Sequence, residues 1–206
     1  GNWLSPDGRV GLGHRRLSII DPSPAGHQPM THGEDALVIT FNGEIYNFVA
    51  LRDRLAQEGH EFRTNSDTEV LLHLYERHGA DMVRHLRGMY AFAIWDAARA
   101  GMLLARDPFG IKPLYTADDG ASFRVASQVK ALRAGGNAGM GVSPAGHVGF
   151  FLWGHVPDPH TLYADIHALP AGSTQWIDHH GAREPQRFFT VAETMAGAGE
   201  GEPPSG

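Results

Sequence analysis

Between Met89 and Ser127 the chain carries four short apolar or β-branched runs, Met89–Trp95, Met102–Arg106, Pro113–Ala117 and Ser122–Ala126, each cut off by turn-forming residues. Strands this short and this closely spaced pair most economically with their sequence neighbours, so the segment predicts an antiparallel meander. Val10–Asp21 and Ala36–Asn42 have the same character and predict two further strands. Pro22–Met30, which holds three prolines, predicts the loop between them. A different period comes next. Phe48, Leu51 and Leu55 recur at i, i+3 and i+7, which predicts a helix capped by Asn47 and stopped at Gly59. Ser66 and Glu69 have capping-box spacing and open a second predicted helix, with Val70, Leu71 and Leu74 as its stripe and Gly79 as its end. Strand groups with helices clustered between them predict an α+β fold of two stacked antiparallel sheets flanked by helices.

Beyond Leu132, Arg133–Gly146 is rich in Gly and Ala and predicts a flexible connection, with ordered pieces at Phe150–Trp153 and Thr174–Ile177. The last residues, 191–206, predict a disordered tail or linker.

Composition limits the chemistry. The 206 residues include no cysteine, so disulfides, thiolate metal sites and a cysteine nucleophile within this sequence are excluded. The 13 histidines are dispersed, and the adjacent His179 and His180 lack the i, i+4 spacing of a helical zinc motif, so no metal site is expected. A net charge of -6 without a Lys or Arg run argues against nucleic acid. Neither an apolar stretch long enough to span a bilayer nor a signal-like N-terminus occurs, so the expectation is a cytoplasmic protein without a membrane partner.

Four polar motifs stand at predicted element ends: Gly13–Asp21 (GHRRLSIID), Phe41–Asn47 (FNGEIYN), Asn65–Glu69 (NSDTE) and Ala105–Tyr115 (ARDPFGIKPLY). Each has a plain reading. Arg15 and Arg16 fit exposed strand positions, Asn42-Gly43 fits a type I′ turn, Ser66 to Glu69 fits a helix cap, and Arg106, Asp107 and Lys112 fit an ion-pair and turn network outside any active site.

Taken together and in this order, the motifs resemble the class II, N-terminal-nucleophile glutamine amidotransferase domain of asparagine synthetase, over Gly1 to about Phe189. The resemblance implies hydrolysis of L-glutamine, with ammonia passed to an aspartyl-adenylate made by an ATP- and Mg-using C-terminal synthetase domain of the same chain. It implies Arg16 for the substrate α-carboxylate, Asp67 for its α-ammonium, and Asn42 with the Gly43 N–H as the oxyanion hole. Leu17, Ser18, Ile19, Ile20 and Glu44 complete the implied pocket, with the isoleucine pair beside the substrate backbone. Glycine at 43 would let the backbone approach the substrate.

The sequence departs from that pattern in two respects. The family nucleophile is an N-terminal cysteine whose own amine serves as base, and no cysteine is present. No Ser-Gly-Gly-x-Asp-Ser-like loop for pyrophosphate occurs either. The resemblance therefore implies truncation at both ends, a fragment without glutaminase activity, an amidotransferase domain at 1–190 and a lead-in toward the synthetase domain from about 133. Gln128 stands where the family usually has Glu. Two alternatives stay open: another class II amidotransferase, and a non-catalytic scaffold like that of β-lactam synthetases.

Overall fold

The computed structural model describes residues 1–199 apart from 18–19, 137 and 139–140. In chain order the elements are β1 (Asn2–Leu4), β2 (Gly11–Gly13), β3 (Met30–His32), β4 (Leu37–Ile45), α1 (Phe48–Gln57), α2 (Asp67–His78), β5 (Gly88–Asp96), β6 (Gly101–Arg106), β7 (Tyr115–Asp118), β8 (Phe123–Ala126), α3 (Val129–Ala134), α4 (Pro144–Trp153), β9 (Ile166–Ala168), β10 (Ser173–Asp178), β11 (Gly181–Ala182), β12 (Gln186–Arg187) and α5 (Val191–Gly199). A seven-stranded antiparallel sheet runs β11-β10-β6-β5-β4-β3, with β12 on the first half of β10. A second sheet has the order β8-β7-β9, and β1 pairs with β2 in a separate ribbon.

Strand alternation stacks these sheets. On β4 and β5, Ile39, Phe41, Phe92 and Ile94 face Leu51 and Leu55 of α1 and Val70, Leu71 and Leu74 of α2 in the main core. Those helix positions are the apolar stripes that periodicity predicts, and fully burying each leucine is worth about 1.5–3 kcal/mol. From the other face, Ala91, Ala93 and Leu104 pack with Leu114, Leu169, Phe123 and Val125, joining the large sheet to the small one. Leu132 of α3 covers the far side of the small sheet beside Ala117 and Ile166. The result is helices, sheet, sheet, helix, the α+β layering expected.

Several local expectations need correction. The Met89–Ser127 segment is not one meander: β5 and β6 belong to the large sheet, β7 and β8 to the small one, and 107–114 carries the chain between them. Of Val10–Asp21 only Gly11–Gly13 is strand among the described residues, because β2 has no ladder partner beyond the three residues of β1. Asn42-Gly43 is no turn but the middle of β4, continuous to Ile45. Asn47 precedes α1 without capping it; its Nδ2 donates to His85 O (3.0 Å) and its Oδ1 accepts from Arg87 N (2.9 Å). The capping box is half made. Ser66 Oγ accepts from Thr68 N, but Glu69 accepts from Arg63 N, Thr64 N and Thr64 Oγ1 instead of reaching back to the cap.

In the C-terminal third, Phe150–Trp153 is the end of helix α4, and the expected flexible stretch holds the end of α3 and the start of α4. Ser143 caps α4 through Gly146 N, with Pro144 at the first turn. Val191–Gly199 is helical, so the predicted tail is not irregular throughout; 200–206 lie outside the described residues.

A mismatch of strand lengths opens the edge of the large sheet. β4 pairs with β5 along all nine of its residues, but with β3 only at Leu37, Val38 and Ile39. Past Ile39 its outer edge has no strand to bond among the described residues, and a buried N–H left unpaired there is costly. The buried Gln28 covers the first position: its Oε1 accepts from Phe41 N (2.7 Å) while its Nε2 donates to Thr68 Oγ1 (3.2 Å). Gln28→Ala orphans that N–H, and urea unfolding is expected to show a loss of about 1–3 kcal/mol. An unchanged midpoint would mean that the β4 edge does not depend on this side chain.

Candidate active site

The last outward edge position is covered by a motif residue. Asp67 Oδ2 accepts from Ile45 N (3.1 Å). In an antiparallel strand alternate N–H groups point to the same side. Gly43 N–H, midway between Phe41 and Ile45, is therefore directed out of the same edge beyond the last β3 pair. The Gly13–Asp21 loop is tied across this edge, because Asp21 Oδ2 accepts from Asn65 N (2.9 Å) just ahead of α2. Two motifs far apart in sequence thus meet through a bond from a backbone N–H to a side-chain carboxylate.

Between the two sheets, at the end where this edge opens, lies a cavity of about 450 Å³. Its base is formed where Ala91 and Ala93 occupy β5 positions that larger residues would fill. Arg16, Leu17, Ile20, Asn42, Gly43, Glu44 and Asp67 all line it. Ser18 and Ile19 lie outside the described residues. Arg16 is half-buried and not an exposed strand residue; its Nη2 donates to Ile20 O, and its guanidinium lies against Gly26, where a Cβ would come within 2.6 Å of it. A side chain at 26 would push Arg16 from this position.

Asn42 Nδ2 donates to Ser127 Oγ at 3.4 Å, a long bond across the two sheets that a better acceptor can displace. Gly43 has a structural reason that the sequence does not show: a Cβ there would sit 2.2 Å from Met89 O on β5. The absent side chain is required by the neighbouring strand, whatever approaches the other side.

The electrostatics are polarised. Burial, ahead of the nearby Glu44 charge, pushes the Asp67 carboxyl above its ordinary value, and the N–H groups of Ile45, Asp67 and Thr68 only partly offset this. His14, with Nδ1 3.1 Å from Thr40 Oγ1, is held below the usual imidazole value by burial first and by cationic neighbours including Arg16. The cavity therefore sets a guanidinium beside a neutral imidazole at one part of its wall and a desolvated carboxyl at another.

Sequence reasoning missed His14, Gln28, Thr40, Lys112, Ser127 and Gln128 as lining residues. Lys112 belongs to the network that the motif reading kept apart from the site; its turn part is present, but Arg106 pairs with Asp158 instead of Asp107, and Lys112 enters through its backbone N and O. Arg106 donates to Lys112 O, Gly110 O, Leu169 O and Asp158, while Asp107 accepts from Tyr90, Phe109, Ile111 and Lys112 N–H groups. It folds 107–114 so that Lys112 reaches the cavity wall. A signal was available for Ser127 and Gln128, which directly follow β8; none was available for Gln28, inside a proline-punctuated loop.

Comparison with known proteins agrees with this geometry. A family model described as glutamine amidotransferase domain matches residues 1–189. The asparagine synthetase [glutamine-hydrolyzing] 1 of Bacillus subtilis is 41% identical over 167 residues, 81% of this chain and 26% of that protein. Amidase chry2 of Gibberella zeae is 41% identical over 136 residues, 66% of this chain and 20% of its own length. Among solved structures, the B. subtilis glutamine phosphoribosylpyrophosphate amidotransferase, complexed with ADP and GMP, superposes with a TM-score of 0.61 at 26% identity, covering 86% of this chain and 34% of its own. The chain thus spans about a quarter of the length of the asparagine synthetase relatives it matches. With the open β4 edge, the stacked sheets and a family match over nearly its whole length, this chain belongs to the class II glutamine amidotransferase domain family.

Proposed function

We propose that the cavity binds L-glutamine as the ammonia-releasing part of a glutamine-hydrolysing asparagine synthetase. The observation that carries the reading is the β4 edge, where Gly43 N–H points outward between N–H groups covered by Gln28 and Asp67, in a cavity that Arg16 and Asn42 also line. The Arg16 guanidinium is suited to a bidentate grip on the α-carboxylate, and Asp67 to the α-ammonium. These two anchors fix the length of side chain that can bring its amide carbonyl to Gly43 N–H and Asn42 Nδ2. Donors fixed there stabilise the oxyanion that develops when the amide is attacked. Of the isoleucine pair assigned beside the substrate backbone, Ile20 lines the cavity, and Leu17 and Glu44 complete the wall.

The attacking cysteine implied by the family is not among the 206 residues, so this polypeptide is expected to hold glutamine without hydrolysing it. ATP and Mg²⁺ belong with a synthetase segment outside this sequence, which has no Gly/Ser phosphate loop of its own. Aspartate is the acceptor that the B. subtilis relative's name supports.

Calorimetric titration tests the pocket. L-glutamine should bind, with D-glutamine and L-asparagine much weaker, and Arg16→Ala should weaken binding about 30-fold or more, the equivalent of about 2 kcal/mol for a lost charge partner. Glutamine binding that survives Arg16→Ala, or equal binding of the D-isomer, would remove this assignment.

Asp67 gives a second test with opposite signs for function and stability. Its folded pKa is raised, so the folded protein holds this proton more tightly than the unfolded chain, and ionisation at neutral pH is a cost to folding. Asp67→Asn keeps an acceptor for Ile45 N–H and removes the desolvated charge. At pH 7 its melting temperature should be equal to or higher than wild type, while glutamine binding is lost. In the wild type, affinity should fall with acid at a pH above the ordinary carboxylate value of 3.8, because protonated Asp67 cannot pair with the α-ammonium. A flat affinity down to that value would place the ammonium elsewhere.

A further inference from the structure

On the helical side of the large sheet the fold gathers histidines that the sequence disperses. His73 on α2, Glu76 one turn later, His32 at the end of β3 and His60 just after α1 converge, and none of them lines the glutamine cavity. His60 Nδ1 and His73 Nδ1 are 3.1 Å apart. From Glu76 Oε2 the distances are 3.5 Å to His32 Nε2, 3.7 Å to His60 Nδ1 and 3.9 Å to His73 Nδ1. Around a tetrahedral zinc ion with bonds of about 2.0–2.1 Å, ligand atoms stand about 3.4 Å apart. These four separations lie on both sides of that value, within the adjustment that side-chain rotation supplies.

We propose that His32, His60, His73 and Glu76 form a structural site for a tetrahedral divalent metal of the zinc class. The donor set is three imidazoles and one carboxylate, the borderline ligands that Zn²⁺ prefers. The His73 side chain is 3% exposed, and its ring stands edge-on to His32 and His60 with centroids 4.6 and 4.9 Å away. Phe62 packs on it at 4.6 Å, and its Nε2 is buried with no hydrogen-bond partner, so the ring's polar contacts are all directed into the cluster through Nδ1. Two ring nitrogens stand 3.1 Å apart, with a third imidazole and a half-exposed carboxylate beside them. An ion bonds to all four at once. It would tie edge strand β3, the α1–α2 connection and α2 together.

The test uses the purified chain after chelator treatment and dialysis. Titration with CoCl₂ should give one Co²⁺ per chain with the intense visible bands of tetrahedral Co²⁺, bleached by one equivalent of ZnSO₄, and Zn²⁺ should raise the melting temperature by several degrees. Glu76→Gln and His32→Ala replace partly exposed ligands, should keep the far-ultraviolet CD spectrum, and should weaken Zn²⁺ binding at least about tenfold. A variant with both His179 and His180 changed to Ala should bind as wild type, and glutamine affinity should stay within about twofold in all three. Absence of stoichiometric binding, an octahedral Co²⁺ spectrum, or full affinity in Glu76→Gln and His32→Ala would each overturn the site.

Discussion

The architecture of the site rests on a strand that outruns its neighbour. β4 is paired with β5 along nine residues and with β3 along three, so past Ile39 the outward-directed backbone groups of Phe41, Gly43 and Ile45 must find other partners. Gln28 and Asp67 supply two of these, and each brings a segment with it: Gln28 anchors the proline-rich loop, and Asp67 anchors the first turn of α2. The position between them is Gly43. An incomplete sheet edge becomes a row of directed N–H groups, which is the arrangement that stabilises charge developing on a carbonyl oxygen. Extending β3 by a few residues would complete the ladder and close the site.

The same strand separates the two faces. Its odd-numbered residues bury Ile39 and Phe41 against the helices, while Thr40, Asn42 and Glu44 face the second sheet. Alanines at 91 and 93 leave space between the sheets at this end, where Leu114 and Val125 also border the cavity, and Leu104 and Leu169 pack in the interface beyond it. Polar residues therefore line a space whose walls are otherwise a hydrophobic interface. Asp67 shows the cost of this arrangement, since burial opposes the ionised form that a cationic ligand group requires.

How much of this was legible depends on which interactions are local. The two helices were readable because α1 and α2 place Leu51, Leu55, Val70, Leu71 and Leu74 on the faces that periodicity predicts. The motif residues Arg16, Asn42, Gly43, Glu44 and Asp67 were readable as a set because three of the four ordered motifs carried them, and the fold brings them to one cavity. Non-local pairing was not readable. Nothing in Val10–Asp21 says that β1 is only three residues long, nor in Met89–Ser127 that the chain changes sheets at 107–114. Gln28 and the reason for glycine at 43 depend on which backbone atoms of distant strands lie alongside. The histidines at 32, 60 and 73 are likewise dispersed in sequence, and only the packing of β3, the α1–α2 connection and α2 joins them.

The central claim is that the uncovered edge of β4 receives the amide of glutamine, and a crystal structure of this chain grown with L-glutamine tests it most directly. The account predicts the side-chain carbonyl oxygen within hydrogen-bond distance of Gly43 N and Asn42 Nδ2, with the α-carboxylate on Arg16. Glutamine bound elsewhere, or bound in the cavity with its carbonyl turned away from Gly43, would contradict it.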